Sequence, residues 1–194
     1  MLSGKLYLAQ DPELKRDMAK AKKIIRLFNQ STEEQPDYRI ELLKELFAKT
    51  GENLHIEPPF YCDYGCNISL GDNFYANHDC LILDVCKVKI GNFVFFGPRV
   101  NIYTAGHPID AEIRNSLLEF GKPVTIGDNV WIGGNVVINP GISIGDNVII
   151  GSGSVVTKNI PDNVIAAGNP CKVLRKIDEN DKIYWEEQRK DYYN

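Results

Sequence analysis

The chain has 194 residues, of which 43% are hydrophobic and 25% are charged, so it can bury one core and is not a disordered chain. It carries 22 basic and 26 acidic side chains, a net charge of −4, which disfavours a general nucleic-acid binder because such proteins present a basic surface. No apolar run approaches the length of a membrane span, and the first residues lack the apolar segment of a secretion signal. We therefore expect a cytoplasmic protein that binds neither membrane nor nucleic acid.

Two amphipathic helices are predicted near the N-terminus. Residues 11–29 begin with an aspartate that can cap a helix and a proline that suits its first turn. Residues 37–50 show a second helical pattern, which a glycine at position 51 ends. Residues 1–54 are therefore predicted to form a small helical cap over the open N-terminal end of the structure that follows.

A repeat of six residues dominates the next part of the chain. An apolar residue recurs at every sixth position after residue 124, usually followed by glycine: Ile126, Ile132, Ile138, Ile144, Ile150 and Val156. A helix repeats every 3.6 residues and a flat strand every two, so neither explains this spacing. The hexapeptide period predicts a solenoid of short strands joined by tight corners, and glycine suits a backbone that must bend sharply.

The spacing upstream indicates how many strands form one coil. The apolar positions fall into triplets, and the irregular steps of eight and twenty-four residues occur only between triplets: 70/76/82, 90/96/102, 126/132/138 and 144/150/156. This pattern predicts a three-sided prism of about four coils over residues 55–169, with every insertion at one corner. The longest insertion, residues 103–125, must project there, and function tends to concentrate in such loops. Asp84 and His107 belong to this corner in consecutive coils.

The C-terminal residues 170–194 are predicted to form a basic strand followed by a helical or frayed tail. The chain also has five cysteines and no C-x-x-C pair. Such cysteines are typical of reduced thiols packed as small apolar side chains.

Five segments resemble a known family and together span almost the whole chain: GKLYLAQDPEL, CDYGCNISLGDNFYANHDC, YTAGHPID, NVWIGGNVVINPG and AAGNPCKVLRKI. They resemble the maltose/galactoside O-acetyltransferases, a family of hexapeptide-repeat acyltransferases. The resemblance implies an all-β fold, a left-handed parallel β-helix. It also implies acetyl-CoA as co-substrate, no metal, a small sugar as acceptor, and a homotrimer with sites between subunits.

The resemblance implies roles for five residues on the acceptor side. His107 would be the general base that deprotonates the acceptor hydroxyl for direct attack on the thioester, and imidazole has a suitable pKa for that task. Asn77 would orient a sugar hydroxyl or the carbonyl oxygen. Asp63, Asp84 and Glu119 would bind acceptor hydroxyls through their carboxylates.

Three positions distinguish this chain within the family it resembles. Glu119 matches the maltose-type members, whereas galactoside-type members tend to have methionine there. Val85 stands where the galactoside branch has an aspartate, so both positions favour the maltose branch. The family's N-terminal acidic contact to the acceptor falls on Ala9, and Asp11 is expected to cap the first helix instead.

The donor side is matched by residues of the later coils and the tail. The Gly134 N–H would stabilise negative charge on the thioester oxygen, and Trp131 would form a wall of the acetyl-CoA groove. The remaining matches are residues expected to contact pantetheine or phosphate: Ser152, Thr157, Lys158, Lys172 and Arg175.

Three alternatives remain open at this point. The acceptor can be a galactoside or another hydroxyl compound. The chain has three histidines, His55, His78 and His107, which is the number that a zinc enzyme of the γ-carbonic-anhydrase type would need. A non-catalytic hexapeptide scaffold is the third alternative, since one fold serves many functions.

Overall fold

A computed structural model gives the structure of the chain and describes residues 1–193; Asn194, the last residue of the predicted tail, lies outside them. The N-terminal region contains a short strand β1 (Tyr7–Leu8) and two helices, α1 (Pro12–Asn29) and α2 (Pro36–Leu46). The Asp11 carboxylate accepts a hydrogen bond from the Glu13 N–H at 2.8 Å, which confirms the predicted cap of the first helix.

The second helix is shorter than the predicted range of 37–50. It ends at Leu46, and Phe47 is extended. The Ala48 N–H then donates to the Ile68 carbonyl at 3.0 Å, and Lys49 pairs with Ser69 as an isolated parallel bridge. The chain leaves the helix because it joins the edge of the solenoid.

The two helices pack on the first coil. Their buried apolar residues face the solenoid core: Ile24, Ile25, Phe28, Leu42, Leu43 and Leu46. Asn29 fixes α1 to the solenoid, because its side chain donates to the Phe60 carbonyl at 3.0 Å and accepts from the Phe60 N–H at 2.9 Å. The helices therefore close one end of the apolar interior.

The solenoid consists of three parallel sheets. The first contains β4 (Ile68–Leu70), β7 (Val88–Ile90), β12 (Val124–Ile126) and β15 (Ser143–Ile144). The second contains β2 (His55–Ile56), β5 (Tyr75–Ala76), β8 (Phe95–Phe96), β13 (Trp131–Ile132), β16 (Ile149–Ile150) and β18 (Val164–Ala167). The third contains β3 (Phe60–Cys62), β6 (Cys80–Leu83), β9 (Asn101–Tyr103), β14 (Val137–Ile138) and β17 (Val155–Val156).

The strand register confirms the predicted triplets. On the first sheet Leu70 pairs with Ile90, Ile90 with Ile126, and Ile126 with Ile144. The corresponding positions of the other two sheets are paired in the same way. These side chains are all buried, so the apolar residue of each hexapeptide fills the prism interior.

Three corners join the sheets, and they differ in composition. The Asp/Asn corner, between the first and second sheets, comprises residues 71–73, 91–93, 127–129, 145–147 and 161–163. The glycine corner, between the second and third sheets, comprises residues 77–79, 97–99, 133–135 and 151–153. The loop corner, between the third and first sheets, comprises residues 63–67, 84–87, 104–123, 139–141 and 157–159.

The glycines of the Asp/Asn corner have a different role from the one expected. The positive φ angles there belong to the third residue of each turn, such as Asn129 and Asn147, both near +55° (58° and 53°). Gly127 is needed because a Cβ at that position would overlap the Asp146 carboxylate of the next coil. Close stacking of coils, rather than a sharp bend, thus explains glycine at this position.

The longest insertion leaves the solenoid after β9. It contains β10 (Ala105–Gly106), α3 (Ala111–Asn115) and β11 (Leu118–Gly121). Strand β11 pairs antiparallel with both β10 and β1, forming a separate three-stranded sheet in the order β1-β11-β10. The N-terminal strand is therefore attached to the projecting loop.

The chain ends with β19 (Lys172–Lys176), antiparallel to β18, and the exposed helix α4 (Glu179–Tyr193). These elements agree with the predicted strand and helical tail. None of the helices described within residues 1–193 has the length and apolarity needed to cross a bilayer.

Candidate active site

The three-stranded sheet of the loop corner brings three polar side chains together. Gly106 pairs with Phe120 at the end of β10, and His107 follows Gly106 directly, so its backbone leaves the sheet on the side of Glu119. Tyr7 pairs with Glu119 from the other side. His107, Glu119 and Tyr7 therefore lie close together at the end of β10. His107 is exposed, so its imidazole is open to a ligand.

A hydrogen bond fixes the Glu119 carboxylate. The Tyr7 hydroxyl donates to Glu119 Oε2 at 2.8 Å. Burial raises the pKa of Tyr7 far above its usual value, and the hydrogen bond and charge of Glu119 raise it further. Tyr7 thus stays protonated and remains a donor. Its role was missed in the sequence because its partner is 112 residues away and no motif links the two.

Asp63 lies near Glu119 at the same corner. Burial raises the pKa of Asp63, and the negative charge of Glu119 raises it further, whereas the positive charge of Lys22 lowers it. Two carboxylates in one partly buried place are suited to accept hydrogen bonds from the hydroxyl groups of a polyol. The structure thus brings together His107, Asp63 and Glu119 of the predicted acceptor residues.

Asp84 has a different role from the one predicted. Its side chain is completely buried, with 0% exposure, so it cannot bind the acceptor directly as predicted. Its Oδ1 accepts hydrogen bonds from the backbone N–H groups of Asp63 at 3.0 Å and Tyr64 at 2.9 Å, and its Oδ2 accepts from that of Asn67 at 3.3 Å. Asp84 therefore holds the segment that carries Asp63.

Burial also affects the charge of this group. Removal from water raises the pKa of Asp84 to about 7, and the negative charge of Asp63 contributes to the rise. The hydrogen bonds from the backbone of Tyr64 and Asn67 oppose it.

Asn77 lies at the glycine corner, away from His107. Its side-chain oxygen accepts the His78 N–H at 2.8 Å, and its backbone N–H donates to the Phe96 carbonyl at 3.1 Å. Strand β6 separates it from the loop corner. The four extended residues of β6, at about 3.3 Å per residue, span roughly 10 Å or more between the two corners. One chain does not bring Asn77 to the other predicted acceptor residues.

The predicted donor residues are also divided between two corners. Gly134 and Ser152 lie at the glycine corner in consecutive coils, where the Gly153 N–H donates to the Gly134 carbonyl at 2.9 Å. Thr157 and Lys158 lie at the loop corner and are exposed. Trp131 stands on the outer face of the second sheet, 55% exposed, and pairs with Phe95 and Ile149.

The two basic residues of β19 differ in their surroundings. Lys172 is exposed. Arg175 forms two hydrogen bonds to Asp181, at 2.6 Å and 2.7 Å, which raise the pKa of Arg175 and lower that of Asp181 to about 2. The predicted phosphate contact of Arg175 would therefore compete with this ion pair.

The histidines do not support the zinc alternative within one chain. His55 contacts Glu57 at 2.9 Å on the second sheet, His78 contacts the Pro58 carbonyl at 2.8 Å, and His107 lies at the loop corner. In residues 1–193 no group of three or more His, Cys, Asp or Glu side chains is arranged to hold a metal ion.

Two family models match the N-terminal cap and the later coils of the solenoid. Residues 1–51 match the maltose acetyltransferase hexapeptide capping motif, and residues 123–158 match the bacterial transferase hexapeptide model of six repeats. A putative acetyltransferase of Saccharomyces cerevisiae is 53% identical over 182 residues, covering 93% of each chain.

Two solved structures are similar to the chain over most of its length. The crystal structure of a maltose O-acetyltransferase from Clostridium difficile 630 is 56% identical, with a TM-score of 0.91, and the match covers 92% of this chain and 95% of that one. A galactoside acetyltransferase in complex with coenzyme A is 47% identical, also with a TM-score of 0.91, and covers 93% and 90%.

Proposed function

Because the chain belongs to the maltose/galactoside O-acetyltransferase family of hexapeptide-repeat acyltransferases, we propose that it acetylates a hydroxyl group of a small sugar of the maltose or glucose type, with His107 as general base. Family membership shows that the protein has the left-handed parallel β-helix and is an acetyltransferase that uses acetyl-CoA. The sugar acceptor, the general base and the oligomeric assembly are proposals.

One observation carries the proposal: an exposed histidine stands next to a hydrogen-bonded glutamate on the projecting sheet. His107 can accept the proton of a hydroxyl that Glu119 and Asp63 hold in place. The hydroxyl oxygen then attacks the thioester carbonyl carbon, and the C–S bond breaks when the intermediate collapses. The imidazolium returns its proton to the leaving CoA sulfur, so the enzyme ends in its starting state. No covalent enzyme intermediate is needed.

The donor would contact the second sheet, the glycine corner and the loop corner. The Gly134 N–H would donate to the thioester oxygen as negative charge develops on it. Trp131 offers an exposed apolar wall for pantetheine, and Ser152 at the glycine corner and Thr157 at the loop corner offer hydroxyls. Lys158 and Lys172 would pair with phosphates, and Arg175 would do so by exchanging Asp181 for a phosphate.

We further propose a homotrimer in which each site is formed between two subunits. The separation of the glycine and loop corners by strand β6 supports this, since Asn77 lies too far from His107 within one chain to bind the same acceptor hydroxyl. The exposed His107 also needs a second surface to exclude water from the reaction.

The second sheet offers a suitable surface for this contact. Its outer face carries a row of paired side chains that are partly or largely exposed: His55, Tyr75, Phe95, Trp131, Ile149 and Ile165. Most of these side chains are aromatic or aliphatic, and an exposed apolar row of this length commonly marks an interaction site. In a cyclic trimer, this face and its glycine corner would approach the loop corner of the next subunit.

The proposed location is the cytoplasm. The five cysteines are all free thiols, and four of them are buried. Unpaired thiols are typical of proteins kept in a reducing compartment.

The acceptor can be tested by measuring CoA release with maltose, glucose and galactosides at matched concentrations. We expect turnover with maltose and glucose to exceed that with galactosides, because Glu119 and Val85 follow the maltose branch. Equal, low turnover with all of them would reject that preference. Absence of turnover with every sugar, while acetyl-CoA still binds, would reject a sugar as acceptor.

A further inference from the structure

Tyr7 occupies a position that the mechanism above does not use. Strand β1 crosses from the N-terminal cap to the projecting loop and pairs Tyr7 with Glu119. The phenol oxygen lies 2.8 Å from Glu119 Oε2, and the bond links residues 112 positions apart. The N-terminal segment thus reaches the proposed acceptor site through one side chain.

The surroundings of Tyr7 explain why a neutral donor is useful there. Its charged neighbours are acidic: Glu119 is hydrogen-bonded to it, and Asp63 is close enough to influence it. The two carboxylates would repel each other and each would favour a position nearer to water. A tyrosine hydroxyl adds no charge, and it fixes one oxygen of Glu119 while the other oxygen, Oε1, is left to accept a hydrogen bond.

We propose that Tyr7 is a positioning residue that fixes the Glu119 carboxylate and thereby determines how well the protein binds its sugar acceptor. This inference rests on the proposed function, because it assigns a role within the same acceptor site. Tyr7 does not touch the reacting atoms and acts only through Glu119. It makes the N-terminal segment a determinant of acceptor specificity rather than only a cap.

The test is Tyr7→Phe, which removes one oxygen and keeps the ring. A hydrogen bond to a charged group contributes enough to predict an increase of about tenfold in KM for the sugar. The kcat should change less than about twofold, and KM for acetyl-CoA should stay unchanged, since His107 and the donor groove are intact. Tyr38→Phe, at a half-exposed tyrosine of α2, is the matched control and should leave all three parameters unchanged.

A double-mutant cycle distinguishes positioning from a general loss of structure. In the Glu119→Leu background the tyrosine has no carboxylate to hold, so adding Tyr7→Phe should change the acceptor KM by less than about twofold. A purely structural role would instead give additive effects and a matching fall in kcat. KM does not depend on the concentration of active enzyme, so a partly folded preparation still reports it.

The outcomes also separate this inference from the proposed function. If the wild-type protein acetylates no sugar, the proposed function fails, and with it this role of Tyr7. If the wild type acetylates sugars and Tyr7→Phe has the wild-type acceptor KM, the role of Tyr7 is overturned while the function stands.

Discussion

The Asp/Asn corner and the loop corner are built from the same hexapeptide repeat and both carry aspartates, but they use them differently. At the Asp/Asn corner each side chain accepts the backbone N–H of the preceding coil. Five such bonds, of 2.6–2.8 Å, form a ladder through Asp72, Asn92, Asp128, Asp146 and Asp162. This corner has no insertions, so each turn supplies the hydrogen-bond acceptor for a backbone N–H of the preceding coil.

At the loop corner the insertions interrupt that stacking. Asp84 is turned inward and holds three backbone N–H groups of the neighbouring segment. Asp63, Glu119 and His107 are then presented on irregular segments, where a ligand can reach them. The contrast indicates that the uninterrupted Asp/Asn corner supports the fold, whereas the insertions of the loop corner expose polar side chains to a ligand. Four predictions test this contrast.

The largest effect is expected at the loop corner, from His107→Gln. General-base catalysis contributes about 10²–10⁴-fold, so kcat/KM for acetyl transfer should fall by at least about 100-fold. Binding of acetyl-CoA, measured by calorimetry, should be unchanged because His107 is not among the proposed donor contacts. The control is Tyr38→Phe, at a partly exposed tyrosine of α2 outside the proposed site, and it should retain activity within about twofold. Near wild-type activity of His107→Gln would remove the proposed base.

A smaller effect is expected from Asp84, which supports the site from inside. Asp84→Ala leaves three backbone N–H groups without their acceptor and should lower the free energy of unfolding by about 3 kcal/mol. Asp84→Asn should cost less, because its amide oxygen can still accept two of these bonds. Urea unfolding of both variants provides the measurement, and equal stability of Asp84→Ala and the wild type would contradict the supporting role.

The same residue predicts a pH dependence. The folded-state pKa of Asp84, about 7, lies above the value of about 3.9 expected in the unfolded chain. The folded protein therefore binds the extra proton between these values, so the contribution of Asp84 is fully present below about pH 4 and is lost as the pH rises through about 7. Between pH 5 and pH 8 the wild type should lose more stability than Asp84→Asn, whose amide does not titrate. Parallel stability profiles would show that Asp84 does not titrate in this range.

The smallest effect is expected at the Asp/Asn corner. Asp146→Ala removes the acceptor of the Asp128 N–H, a bond of 2.7 Å, and should lower the free energy of unfolding by about 1 kcal/mol. Asp146→Asn should stay within about 0.5 kcal/mol, since Asn92 already fills an equivalent position of the ladder. Neither variant should change kcat/KM. A loss of activity without a loss of stability would show that this corner also takes part in the reaction.

The sequence was sufficient for the parts of the fold that repeat. The spacing of Leu70, Ile90, Ile126 and Ile144 predicted a register that the pairing of the first sheet confirms. The steps of eight and twenty-four residues also placed Asp84 and His107 at one corner, as the structure has them. Such features depend on neighbours at a fixed period, and a period can be read from one sequence.

The parts that could not be predicted depend on contacts without a period. The bond between Tyr7 and Glu119 joins the N-terminal segment to the projecting loop, and the sequence of neither segment specifies its partner. The burial of Asp84 follows from how the segment of residues 63–67 folds over it, which spacing does not describe. The role of the repeat glycines also could not be predicted, because the close approach of Gly127 to Asp146 appears only when the coils are stacked.

The central claim is that the loop corner of one subunit and the glycine corner of the next form one active site. It can be tested by co-expressing His107→Ala and Asn77→Ala chains with different tags and isolating the mixed trimers. Each variant alone should have less than about 1% of wild-type activity, since each lacks one group that acts on the reaction. A mixed trimer contains two chains of one kind and one of the other, so one of its three sites joins an intact His107 to an intact Asn77, and about one third of wild-type activity should return. Mixed trimers with no more activity than either parent would contradict the claim.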